Sequence, residues 1–158
     1  MIDWEREREE IVKILLYIFD NIQINFDILI KIERGERITK KDLTLDGFNV
    51  KSGGQGYLGK YTKHNRNGNQ IVIAEFGTAG LVQWENNKFW ANDVCLTLKL
   101  NNELINEKFL FYFLKSRQHN IFENNIKAVP EKLNKQFLNN LKLVVPKLKT
   151  QNKIAYVL

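Results

Sequence analysis

The sequence predicts an α+β fold: a mixed or antiparallel β core with flanking helices and an amphipathic helix at the N-terminus. Three observations predict it. Apolar residues recur at helical spacing near both ends of the chain, and β-branched runs broken by glycine turns fill residues 47–100. The 158 residues are 44% apolar and 27% charged, the balance of one globular domain large enough to bury a core without disulfide or metal staples.

Residues 4–22 read as the first helix. Ile11, Leu15, Ile18 and Ile22 fall at i, i+4, i+7 and i+11, and Val12, Leu16 and Phe19 widen the stripe, while Asp3 stands where a cap belongs. Residues 28–32 read as a strand. Gly35 punctuates the chain, and Thr39 is placed to cap a short helical turn through Asp42. Gly53, Gly54, Gly56 and Gly59 then break the chain repeatedly. Residues 71–74 read as a buried strand, 77–80 as a tight turn and 93–100 as another strand. Helix returns at 106–118, with Asn106 as cap and Phe109, Leu110, Phe113 and Leu114 as its stripe. A second helix fits 134–141, a short strand 143–145 ends at Pro146, and a last helix begins near Thr150. The expected organisation is thus an N-terminal helix (1–23), a central domain (24–146) and the start of a truncated C-terminal helix (147–158).

Charge is distributed unevenly around a net of +6: residues 1–10 are acidic, whereas 108–158 carry ten basic groups against Glu123 and Glu131. Such asymmetry suits a body that faces a polyanion. A lysine-rich solvated surface from an AT-rich coding sequence produces the same pattern, and on charge alone the two readings stand level. The acidic start is the wrong charge for a signal peptide, and no apolar run reaches membrane-spanning length, so no membrane partner is expected and the cytoplasm is the default. The single cysteine, Cys95, excludes an internal disulfide and a paired-cysteine zinc or redox motif; within Val94-Cys95-Leu96 it reads as a buried inert thiol.

Catalytic motifs are matched poorly. Residues 54–59 fit G-x-G-x-x-G, yet a polar segment precedes them and a polar loop follows, so no strand–turn–helix unit for a dinucleotide can be drawn. A kinase reading fails because Glu75 stands where lysine is needed. His64 and His119 lack metal-ligand or catalytic spacing, and Glu75, Glu85 and Asp93 form no nuclease motif. No catalytic residue, metal or cofactor is expected. Glycine turns beside Lys51, Lys60, Lys63 and Arg66 do let a backbone approach phosphates closely.

Several phrases in order resemble a known family. Residues 31–43, then 50–57, then 71–80 followed by 89–94, then 109–115, and finally 130–133, 137–141, 144–146 and 151–155 resemble a target-recognition domain in the specificity subunit of type I restriction-modification systems. The resemblance covers about residues 26–158. It implies a non-catalytic module that reads one half of a bipartite double-stranded DNA target. In that family two such domains are held apart by long helices. Those helices dock modification subunits, which carry S-adenosylmethionine and methylate adenine, and restriction subunits join them. This sequence departs from the pattern in having one recognition domain and a spacer helix that stops at Leu158, while residues 9–15 resemble the start of such a helix placed before the domain. It therefore resembles a half, truncated or permuted subunit.

On this reading the candidate DNA contacts are Lys51, Gln55, Tyr57, Lys60, Lys63, Arg66 and Thr78, with Lys127, Lys132 and Lys135 on phosphates. Gln55 has the bidentate amide that pairs with adenine in the major groove. Ile11, Leu15, Ile18 and Ile22 are the expected partner-facing stripe, for a homodimer or for a modification subunit. Two readings compete with this one: a remnant that no longer binds DNA and docks partners through its helix, and an enzyme with an unfamiliar site.

Overall fold

Asn21 lies between the first helix and the first strand. It adopts φ 58, a left-handed conformation that no helix continues through, and the chain then enters a strand. In chain order the elements are α1 (Trp4–Ile18), β1 (Ile22–Asn25), α2 (Phe26–Leu29), β2 (Ile30–Arg34), a 3₁₀ turn (Lys40–Asp42), β3 (Phe48–Lys51), β4 (Gly59–Tyr61), β5 (Gln70–Ala74), β6 (Val82–Glu85), β7 (Phe89–Ala91), β8 (Cys95–Leu100), α3 (Glu107–Ser116), α4 (Gln118–Glu123), α5 (Lys135–Asn139), β9 (Lys142–Val145) and α6 (Leu148–Val157). The computed structural model describes residues 3–18, 20–101 and 103–158, without the side chains of Glu9, Val12, Lys13, Leu15, Leu16 and Tyr17.

Two sheets meet in the centre. The first is antiparallel, in the order β2-β8-β5-β6; the second, β4-β3-β7, is mixed, because β3 runs parallel to β7. Strand β5 is apolar without alternation because both of its faces are covered. Ile71 and Ile73 join Leu96, Leu98 and the helices in the main core, while Val72 turns the other way to Phe89, Ala91 and Cys95. The main core takes Phe26, Leu110, Leu114, Ile121 and Leu138, each fully buried. Each such side chain stabilises by roughly 1.5–3 kcal/mol relative to exposure.

The caps expected at Asp3, Thr39 and Asn106 form, and Asn134 adds a fourth. Asp3 accepts from the Arg6 amide at 3.3 Å, Asn106 from the Phe109 amide at 3.0 Å and Asn134 from the Phe137 amide at 3.0 Å, and Thr39 forms a capping box with Asp42. Two expectations are corrected. Ile22 is not on the first helix: it begins β1 and lies opposite Val145 of β9. Residues 28 and 29 are not strand, because Phe26 and Leu29, three apart, both point into the core from the single turn of α2 before β2 begins. A short apolar run does not by itself distinguish the two states. The side chains of Leu15, Val12 and Leu16 lie outside the described ones, and Phe19 lies outside the described residues. Ile11 and Ile18 of the stripe are 56% and 58% exposed.

The final helix is tied to the domain by a buried polar side chain. Gln151 of α6 accepts from the Asn106 amide at 2.7 Å and donates to the carbonyls of Leu104 and Pro146 at 3.1 and 2.8 Å, so all of its hydrogen-bonding capacity faces inward. Among the described residues no helix is long and apolar enough to cross a membrane.

Candidate nucleic-acid interface

Strand β3 ends in Lys51 and releases a loop, residues 52–58, whose tip is Gly54-Gln55-Gly56. Gln55 is exposed, and Gly56 takes φ 78, which glycine tolerates and a side chain would strain. The tip is held from below. The Lys51 ammonium donates to the Gly56 carbonyl at 3.1 Å and to Gln83 Oε1 at 2.6 Å, and Gln83 Nε2 donates to the Gly54 carbonyl at 3.1 Å. The two carbonyls flanking Gln55 are thus both bound by one buried network. Tyr57 completes the brace: its hydroxyl donates to Glu85 Oε2 at 2.9 Å, and its ring lies 4.8 Å from the Lys51 ammonium. Burial pushes the Lys51 pKa down, opposed by the Glu85 charge; burial and the bond to Glu85 push the Tyr57 hydroxyl up.

A second loop, residues 75–81, lies against the first. The Thr78 amide donates to the Gly53 carbonyl at 2.7 Å. The backbones approach so closely that a Cβ at Gly53 would meet the Phe76 carbonyl oxygen at 2.3 Å. Gln55, Tyr57 and Thr78 are therefore brought to one end of the molecule, all exposed. A third segment joins them there. Asn125 donates to the Ala79 carbonyl at 2.7 Å, and Lys132 bridges both Phe76 and Ile126.

The other predicted contacts divide. Lys60, on β4, and Lys63, just beyond it, are exposed. Lys51 is only 4% exposed, and its ammonium is used inside the fold, which removes it from any surface that touches phosphate. Arg66 is half-buried and its guanidinium is engaged within the fold: it donates to Thr97 Oγ1 at 2.7 Å, the Asn65 carbonyl at 2.8 Å and the Arg34 carbonyl at 2.9 Å. Lys127 pairs with Glu131, one helical turn's spacing away. Lys132 and Lys135 approach Glu75 at 3.8 and 2.8 Å, and Arg34 joins the same carboxylate at 2.5 Å. Neither Glu75 oxygen receives a well-aligned hydrogen bond, so close charged nitrogens hold this group instead.

Sequence reasoning missed Gln83, Glu85 and Arg34. The first two could have been found, since i and i+2 on strand β6 share a face, and that face looks at the loop. Arg34 could not, because its partner lies 41 residues away and only the fold joins them.

Cys95 has the character its neighbours suggested. It is fully buried, its thiol donates to the Ser52 carbonyl at 2.9 Å, and burial pushes its pKa up to about 12. His64 packs edge-on against Phe48 at 4.6 Å, and His119 meets Glu123 at 2.9 Å. Among the described residues no group of three or more His, Cys, Asp or Glu side chains is placed to hold a metal ion.

The pattern described as the type I restriction modification DNA specificity domain matches residues 27–158. The specificity subunit of the type I restriction enzyme MpnII of Mycoplasma pneumoniae is 32% identical over 133 residues, which cover 81% of this chain and 40% of that protein. The crystal structure of a type I restriction-modification S subunit from M. genitalium superposes with a TM-score of 0.78 at 25% identity, over 86% of this chain and 37% of the other. The HsdS subunit of Thermoanaerobacter tengcongensis shares the fold, with a TM-score of 0.65 at 13% identity over 97% of this chain and 42% of the other. The chain spans 36% to 55% of the length of five M. pneumoniae relatives. The chain belongs to the family of the type I restriction modification DNA specificity domain.

Proposed function

We propose that this domain reads one half of a bipartite duplex DNA target and, without catalysing a reaction itself, directs modification and restriction subunits to it. The observation that carries the proposal is the braced tip of the loop at 52–58. An exposed amide, Gln55, stands between two glycines whose carbonyls are fixed by Lys51 and Gln83, at a point shared with Tyr57 and Thr78. Pre-organisation of this kind lowers the entropy lost when a side chain engages a base edge. Lys60 and Lys63 supply exposed positive charge on a neighbouring strand and loop. Family membership supports the same reading. The cytoplasm, where such a target lies, is the proposed location.

Binding-site selection from a randomised duplex tests this. The wild-type chain should enrich a short motif, and Gln55→Ala should lose preference at one or two positions within it, a discrimination of about 1–3 kcal/mol for a bidentate amide–adenine pair. Recovery of no enriched motif by the wild-type chain would refute the function.

The first helix, α1, is the proposed means of pairing with a partner. Trp4, Ile11, Ile14 and Ile18 are each more than half exposed on it, an apolar surface of the sort that marks association. Pairing about a two-fold axis with a second copy, or docking on a modification subunit, would cover it. Charged replacements at Ile11 and Ile18 should dissociate the assembly in light scattering and leave the melting profile of the domain intact. A wild-type chain that is monomeric and ignores modification subunits would exclude this use of the helix.

A further inference from the structure

Glu75 is fully buried just after β5, and three cations from two segments reach it: Arg34 at the end of β2, and Lys132 and Lys135 at the entry to α5. Its backbone is clamped on both sides. The Glu75 amide donates to the Val94 carbonyl at 2.8 Å, and the Glu75 carbonyl accepts from the Leu133 amide at 2.9 Å. One cation suffices to compensate one buried carboxylate. With three present, two positive charges are left over, on side chains that reach solvent. The side chains of Arg34, Lys132 and Lys135 are 51%, 41% and 36% exposed, against 0% for Glu75. Beside them runs an open groove of about 340 Å³, lined by Ile30, Arg34, Leu96, Lys135, Asn139 and Asp27.

The position of this cluster is as informative as its charge. Phe76, the residue after Glu75, places its carbonyl against Gly53, and the Lys132 ammonium lies 5.4 Å from the Phe76 ring. The leftover charge therefore adjoins the loops that carry Gln55 and Thr78. A guanidinium fork flanked by ammonium groups, held at fixed separation by a buried anion, suits the oxygens of a phosphate.

We propose that Arg34, Lys132 and Lys135, gathered on the buried carboxylate of Glu75, form a cradle for a phosphodiester of the bound duplex. This rests on the DNA-reading function proposed above. Glu75 is a positioning residue: it touches no DNA and fixes the three side chains that do.

The test is the salt dependence of binding to a random-sequence duplex, measured by fluorescence anisotropy on the full chain. Loss of one phosphate contact flattens the slope of log K against log salt by about 0.9 and weakens binding roughly fivefold near 0.15 M salt. Arg34→Gln and Lys135→Gln should each do this, equally for all sequences. Both side chains are partly exposed, so both variants are expected to fold. Glu75→Gln should also weaken binding, although it removes a negative charge from the protein, because the cations separate once their anchor is neutral. Wild-type slope and affinity in both Arg34→Gln and Lys135→Gln, in a chain that does bind duplex, overturn the cradle and leave the reading function standing. Tighter binding by a folded Glu75→Gln overturns the positioning role. A wild-type chain that binds no duplex removes the reading function and the cradle with it.

Discussion

Two buried charges stand at the same end of this molecule and are partnered in opposite ways. Lys51 is a buried cation whose ammonium meets neutral acceptors, the Gly56 carbonyl and the Gln83 amide oxygen, beneath the face of Tyr57. Glu75 is a buried anion whose carboxylate meets three partly exposed cations. The first arrangement turns charge inward and fixes a backbone. The second gathers charge at the surface and fixes side chains. A buried ionised group near an interface therefore does one of two jobs, and whether its partners are neutral backbone or exposed ions tells which.

The largest expected break in this comparison is in stability. Lys51→Met leaves the Gly56 carbonyl and Gln83 without their donor, and it leaves the buried Glu85 carboxylate without the cation whose charge acts on it. Removing one member of a buried charged network costs about 3 kcal/mol or more. Glu75→Gln leaves three side chains that can turn to water, so its cost should be smaller, about 1–2 kcal/mol. Urea unfolding of both variants should rank them in that order. Adding Glu85→Gln to Lys51→Met should restore part of the loss, since the uncompensated carboxylate is then gone. An equal cost for the two single variants would show that the exposure of the partners does not matter.

A smaller effect separates bracing from contact. Gln83→Leu removes the donor to the Gly54 carbonyl and one acceptor of Lys51, yet changes no charge. Sequence discrimination should fall, by a fraction of the 1–3 kcal/mol or so that a bidentate base contact contributes, while the salt slope stays at its wild-type value. Lys60→Gln should do the reverse, flattening the slope by about 0.9 and sparing discrimination. Competition binding at several salt concentrations measures both quantities on the same samples. A flattened slope in Gln83→Leu would mean that the loop carries phosphate contacts rather than base contacts.

The sequence made these two sites unequally legible. Helix caps at Asp3, Thr39, Asn106 and Asn134 are local rules, and the structure follows them. The loop at 52–58 was legible as a glycine-rich turn beside basic residues, which drew attention to Lys51 and Gln55 alike. Burial then separates the two, because Lys51 ends the central strand of the three-stranded sheet and Gln55 sits on a tip. Position relative to the sheets is not a local property, so no spacing rule distinguishes a structural lysine from a phosphate-binding one. Arg66 illustrates the same limit: its three acceptors come from residues 34, 65 and 97. The strand at 22–25 was hidden for a related reason. Ile22 continues the helical apolar stripe, and only pairing with β9, more than a hundred residues later, decides its state.

A third carboxylate sharpens the comparison with the smallest effect. Glu107, in the first turn of α3, has neither the neutral network of Lys51 nor the cations of Glu75; Lys108 beside it is turned over the Trp84 ring at 4.0 Å. Burial alone pushes its pKa up, from 4.5 to about 7, even though a helix N-terminus favours the anion. Because the folded pKa is raised, the native state holds a proton that the unfolded chain releases first. The protonated group's contribution is fully present below about pH 4.5 and is lost as pH rises toward about 7, beyond which the charged group is carried at full cost. Glu107 is only partly buried, so water moderates that cost and the change should be a modest shift in the unfolding midpoint. Glu107→Gln should remove this component: the difference between wild type and variant should grow from about pH 4.5 to about 7 in favour of the variant and then level off. Urea titrations at stepped pH give that difference directly, with the remaining titrating groups common to both proteins. A difference that is constant across the window would mean that a charge close to Glu107 already offsets its burial.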